Sequence, residues 1–140
     1  MRTLALILAA GKGTRMRSAQ AKVLQPVGGK AMIGHLLETL QELTLERTAV
    51  VFGYQGEQLR ACIEPAWPQI QWIAQTEQRG TGHAVQMAMA EIAQTERTLI
   101  LFGDTPLVRA STLQRLLDAS QESGFALLSA VVDNPFGYGR

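Results

Sequence analysis

The sequence holds a single cysteine, Cys62, so an intramolecular disulfide is excluded and the chain suits a reducing compartment. Cys62 itself reads as a small core residue. Charge of either sign in excess is also missing. Thirteen basic against twelve acidic residues leave a formal net charge of +1, which gives no electrostatic footprint for nucleic acid or an anionic membrane. No apolar run approaches the about 18 residues of a spanning helix. The seven-residue run at 4–10, preceded by one arginine, leads into GKGTRM rather than a cleavage site, so a cytoplasmic protein is expected. Also lacking is a Ser/His or Cys/His nucleophile and base pair, which argues against covalent hydrolytic catalysis. Repeats, low-complexity tracts and linkers are absent, and 140 residues suit one domain with one core.

What the chain does contain is a series of short apolar runs, each ending in glycine or polar residues. Residues 3–9 (TLALILA) form a continuous run too short for a confident helix and are expected as a strand buried on both faces. Similar strands are expected at 48–52 (TAVVF), 70–74 (IQWIA), 98–102 (TLILF) and 125–132. Between them lie helical patterns. Met32, Ile33, Leu36, Leu37, Leu40 and Leu43 follow a three-and-four spacing after the turn signal Gly28-Gly29. A short helical stretch is expected around 59–63 and another helix at 82–93. Ser111 with Gln114 makes a capping box before Leu113, Leu116 and Leu117. Five strands separated by helices predict an α/β fold with right-handed crossovers and a mostly parallel sheet flanked by helices. Ligands of such sheets bind outside the carboxyl ends of the strands. The loops to inspect are therefore 11–15, 53–56, 75–82, 103–106 and 133 onward.

In the first of these loops Gly11 and Gly13 let backbone N–H groups approach a triphosphate, while Lys12 and Arg15 add positive charge. The pattern lacks both the third glycine of the dinucleotide fingerprint and the Gly-Lys-Ser/Thr ending of a P-loop, so a tight turn with solvated cations stays open. Lys22 joins the same cationic group, or is a surface charge. The loop QTEQRGTGH offers Gln75, whose amide carries a donor and an acceptor for the edge of a uracil, with Gly80 and Thr81 bringing backbone groups to the same base. Its alternative is a polar loop in which Thr81 caps a helix. His83, without a partner at metal-ligand spacing, reads as structural. Asp104, directly after a strand, suits Mg2+ beside substrate phosphates, or a plain Asx turn. Phosphoryl or nucleotidyl transfer fits this inventory, because an anionic phosphate oxygen needs no general base.

Five segments in order, LILAAGKGTRM, Lys22-Val23-Leu24, QTEQRGTGHA, LFGDTPL and NPFGYGR, closely resemble the bacterial bifunctional enzymes that are both N-acetylglucosamine-1-phosphate uridyltransferase and glucosamine-1-phosphate N-acetyltransferase. The resemblance runs over essentially the whole chain. It implies a Rossmann-like fold of the nucleotide-diphospho-sugar transferase type that joins UTP to N-acetylglucosamine 1-phosphate and releases pyrophosphate, for peptidoglycan and lipopolysaccharide synthesis. Carried over by motif, Leu8, Ala9, Ala10 and Gly11 would contact the nucleotide, Lys12 and Arg15 its phosphates, with Lys22 nearby. Gln75, Gly80 and Thr81 would read the uracil, Phe102 and Gly103 line the site, Asp104 hold Mg2+, and Gly139 approach the sugar. The family usually has Tyr at position 102 and often Pro at 21, where this chain has Phe102 and Ala21. The resemblance also implies that residues 1–140 are the front part of a uridyltransferase domain. The second metal ligand, further sugar contacts and a trimer-forming acetyltransferase β-helix would then lie beyond Arg140. Two other readings stand beside it: a nucleotidyltransferase for another sugar phosphate or another nucleotide, and a non-catalytic nucleotide-binding module.

Overall fold

The computed structural model describes residues 1–11, 20–53 and 55–137. They divide into two compact units, the first ending at Ala110 and the second beginning at Ser111.

The first unit is built on a four-stranded parallel sheet. Strand β1 is Thr3–Ala9, the run that the pattern of TLALILA predicts, and all seven of its residues are buried. A 3-10 turn at Lys22–Leu24 leads to a small hairpin, β2 (Pro26–Val27) and β3 (Lys30–Ala31). Gly28 and Gly29 form its two-residue loop, both with positive φ, as the favoured hairpin turn requires. Helix α1 (Met32–Gln41) buries Ile33, Leu36, Leu37 and Leu40, the stripe expected from its spacing. Then follow β4 (Arg47–Phe52), α2 (Gly56–Ile63), β5 (Gln71–Ala74), α3 (Thr81–Met87), α4 (Met89–Ile92) and β6 (Arg97–Phe102). The single helix expected at 82–93 is thus two, broken at Ala88, whose φ of −94° and ψ of 5° leave the α region. Cys62 is exposed rather than in the core, because α2 turns Gly56, Leu59 and Ile63 inward instead.

The strand order is β5-β4-β1-β6, with every pairing parallel. Leu4, Leu6, Leu8 and Ala10 pack with Ala49, Val51, Ala84 and Ala88 in one cluster, so α3 covers that face. Ala5, Ile7 and Ala9, which alternate with them, are buried as well. Each fully buried leucine or isoleucine here contributes roughly 1.5–3 kcal/mol relative to exposure. No helix among the described residues is long and apolar enough to cross a membrane.

Helix α5, Ala110–Ser123, lies in the second unit from Ser111 onward and buries Leu113 and Leu117. Ser111 lies in its first turn instead of ahead of it, and Gln114 donates to Asp118 rather than reaching back, so the capping box does not form. The strand expected at 125–132 is absent too. Phe125, Leu127 and Val131 are exposed there, and the segment pairs with no strand among the described residues.

Candidate functional site

From β1 the chain steps to β4 and β5 on one side, then returns to place β6 on the other side of β1. This reversal opens a crevice at the carboxyl ends of the strands, where doubly wound sheets bind their ligands. A cavity of about 500 Å³ lies there. Its floor is the end of β1, with Leu8, Ala9, Ala10 and the exposed Gly11. The loop after β5 supplies Gln75, Gln78 and Gly80, α3 supplies Thr81 and Ala84, and the end of β6 supplies Phe102 and Asp104. Lys22 and Val23 complete the lining.

Nine of the cavity residues are therefore ones that the sequence singles out: Leu8, Ala9, Ala10, Gly11, Lys22, Gln75, Gly80, Thr81 with Phe102, and Asp104 makes a tenth. Gly103 is buried behind them. Its N–H donates to Leu8 O at 3.0 Å, and a Cβ there would stand 2.9 Å from Val23 Cγ1, so only glycine lets β6 close against β1 and the 3-10 turn. Lys12, Arg15 and Gly139 lie outside the described residues.

At the β6 end, Lys22 Nζ donates to Asp104 Oδ2 at 2.7 Å. The side chains are 41% and 35% exposed, so water competes and the pair is worth little on its own, about 0–1 kcal/mol. Asp104 does not form the Asx turn that was the alternative for it; the adjacent turn is closed by Thr105, whose Oγ1 donates to Phe102 O at 2.7 Å. Oδ1 of Asp104 has no partner among the described residues.

At the β5 end, Gln75 is only 4% exposed. Its N–H donates to Phe52 O at 2.7 Å, which extends the β4–β5 pairing and aims the side chain across the loop. Side-chain Nε2 lies 3.2 Å from Gly80 O and 2.8 Å from His83 Nδ1. Gly80 adopts φ 97° and ψ −179°, a region essentially closed to other residues, and this turns its carbonyl toward Gln75. Thr81 begins α3 but its side chain makes no cap, so the capping alternative fails.

Gln78 is a residue that the sequence reading missed. Its Nε2 donates to Ala10 O and ties the 75–80 loop to the exit of β1. Val23 and Ala84 also line the cavity unannounced, since small apolar residues carry no chemical signal of their own. Among the described residues no group of three or more His, Cys, Asp or Glu side chains could cage a metal.

Comparison with known proteins agrees with this arrangement. Residues 5–138 match the model of the MobA-like NTP transferase domain. The bifunctional protein GlmU of Dichelobacter nodosus is 53% identical over 138 residues, which are 98% of this chain and 30% of that protein. The chain therefore spans under a third of the length of that relative. Among solved structures, Rv0371c of Mycobacterium tuberculosis H37Rv in complex with manganese superposes with a TM-score of 0.71 at 20% identity, over 86% of this chain and 61% of that one. A UDP-glucose pyrophosphorylase complexed with UDP-glucose gives a TM-score of 0.71 at 23% identity, over 89% and 55%. With a parallel sheet, a carboxyl-end crevice and these likenesses in hand, the chain belongs to the MobA-like NTP transferase domain family and has the nucleotide-diphospho-sugar transferase fold.

Proposed function

We propose that this chain forms the nucleotide side of a uridylyl transfer site, joining UTP to N-acetylglucosamine 1-phosphate with release of pyrophosphate. The observation that carries the reading is the polarity of the cavity: a nearly buried amide, Gln75, at one end and a cation with a carboxylate, Lys22 and Asp104, at the other. A nucleoside triphosphate has the same division, a neutral base edge at one end and a string of anionic oxygens at the other. The similarity to bifunctional GlmU supports nucleotidyl transfer, and UTP with N-acetylglucosamine 1-phosphate is the pair that the resemblance of the five motifs implies.

In the reaction an oxygen of the sugar phosphate attacks the α-phosphorus, a new P–O bond forms in line, and the bond to pyrophosphate breaks. No proton need move, because both nucleophile and leaving group are phosphate oxygens. Leu8, Ala9, Ala10 and Gly11 would form the floor under the nucleoside, with the half-exposed Phe102 beside it. Lys12 and Arg15 would carry the charge that develops on pyrophosphate, with Lys22 adding to it.

The chain's donors fit a divalent cation of the magnesium type. Asp104 follows a strand end and has one carboxylate oxygen without a partner among the described residues, and such an ion commonly takes one or two protein carboxylates beside phosphate oxygens and water. Bound there, it would screen the triphosphate and polarise the α-phosphoryl group. Lys22 would then leave Asp104 for a phosphate oxygen, a low-cost exchange for a half-exposed pair.

Because the chain spans 30% of its relative, we further infer that it is the N-terminal part of a longer uridyltransferase, whose trimer-forming acetyltransferase part is elsewhere. Calorimetric titration with UTP, CTP, GTP and ATP in the presence of Mg2+, followed by a pyrophosphate-release assay with N-acetylglucosamine 1-phosphate, tests the reading. UTP should bind in preference to the others, and tighter binding of CTP or GTP would remove the uracil assignment. Binding without turnover would assign this chain the nucleotide half-site only.

A further inference from the structure

We propose that His83 is a positioning residue for base selection: it locks the Gln75 amide so that only the oxygen, Oε1, faces the cavity. The assignment of the amide follows from its partners. Gly80 O is a carbonyl and can only accept, so the Gln75 atom 3.2 Å from it must be the nitrogen. An amide nitrogen has a second N–H, and His83 Nδ1 stands 2.8 Å away to take it. That contact requires a bare lone pair on Nδ1, which places the imidazole proton on Nε2.

Both donors of Gln75 are thereby engaged inside the protein, and the side chain is 4% exposed, so it has little freedom to turn. Oε1 has no partner among the described residues and is not one of the sealed, unpaired polar atoms, which are Gln71 Oε1 and Trp72 Nε1. It therefore keeps some exposure, which we assign to the cavity that Gln75 lines. The residue expected from sequence to offer a donor and an acceptor thus offers an acceptor alone.

An acceptor fixed in this way selects a base whose edge carries a ring N–H. Uracil has one at N3, between two carbonyls. Cytosine has a lone pair at N3, and meeting Oε1 there would set two acceptors against each other, leaving a nearly buried group unpaired. The selectivity rests on reading the cavity as a uracil site; the tether between Gln75 and His83 does not.

The test compares wild type, His83→Leu and His83→Gln. Nitrogen-15 NMR of the imidazole reports the tautomer without any ligand, and Nδ1 should be unprotonated. A proton on Nδ1 would overturn the proposal. Binding is then measured for UTP, for 3-methyl-UTP, which lacks the N3 proton, and for inorganic tripolyphosphate. Wild type should prefer UTP to its methylated analogue by about tenfold, the worth of one hydrogen bond to a buried group.

In His83→Leu, with circular dichroism confirming that the fold is kept, the amide has one anchor instead of two. The preference should fall to about threefold or less, while tripolyphosphate binds as before. His83→Gln, whose amide oxygen can accept the same N–H, should restore it. A wild-type preference that survives intact in His83→Leu would remove the role of His83 and leave the uracil reading standing. Absence of any preference in wild type would overturn both.

Discussion

The two ends of the cavity are held by opposite means. At the β5 end a neutral amide is nearly buried and every N–H on it has a partner, so its geometry is set before a ligand arrives. At the β6 end a full ion pair stands more than a third exposed, where water and salt compete with it. A buried hydrogen-bonded group is costly to disturb, whereas an exposed pair is readily exchanged. This suits a fixed reader of the base at one end and an adjustable set of charges for phosphate and cation at the other.

The strongest way to break the comparison is Asp104→Ala. If the β6 end works by exchange, Asp104 matters to chemistry and hardly at all to folding. On the proposed function, turnover of the uridyltransferase that contains this chain should fall about 10²–10³-fold, on the order of 3–4 kcal/mol of lost charge stabilisation. The melting temperature of this chain should stay nearly unchanged, since the pair removed contributes about 0–1 kcal/mol. Steady-state kinetics and a thermal melt on the same variant give the two numbers. A large loss of stability with turnover intact would reverse the roles assigned to the two ends.

Gln75→Leu makes the complementary change. Leucine fits a buried position but leaves Gly80 O and His83 Nδ1 without their donor, so the cost should appear in folding as well as in binding. Because Gly80 is exposed and His83 only partly buried, a loss of about 1 kcal/mol is expected in urea unfolding, together with loss of preference among UTP and CTP. Unchanged stability would mean that the amide is not anchored and that the β5 end is as adjustable as the other.

How much of this was legible in the sequence follows from the range of the interactions. The run TLALILA announces a strand buried on both faces because burial is written into every residue of it, and Gly28-Gly29 announces a hairpin turn because positive φ is a local demand. Placing the site at the strand ends needed only the alternation of strands and helices. Residues 125–132 show where this stops: their apolar composition resembles a strand, but a strand also needs a partner backbone, and they pair with none of the strands among the described residues. The polarity of Gln75 was illegible for the same reason. Its side chain is a donor and an acceptor in isolation, and only His83, eight residues on, and the turned carbonyl of Gly80 decide which one remains. Lys22 and Asp104 are 82 residues apart, and no local pattern relates them.

The smallest effect expected is also the one that separates exchange from simple attraction at the β6 end. In Lys22→Met the stem of the side chain is kept and the charge is lost, so Asp104 Oδ2 returns to water. Because both partners are already wet, stability should change by about 0–1 kcal/mol, and less in high salt. Divalent binding should respond in the opposite sense to nucleotide binding. Without the ammonium, Asp104 no longer has to release a cation before accepting another, and the affinity for Mn2+ alone, followed by its electron paramagnetic resonance signal, should rise. The affinity for UTP should fall, because the charge that would have moved to its phosphates is gone. If both affinities fall together, Lys22 serves only to hold Asp104 in place, and the β6 end is as fixed as the β5 end.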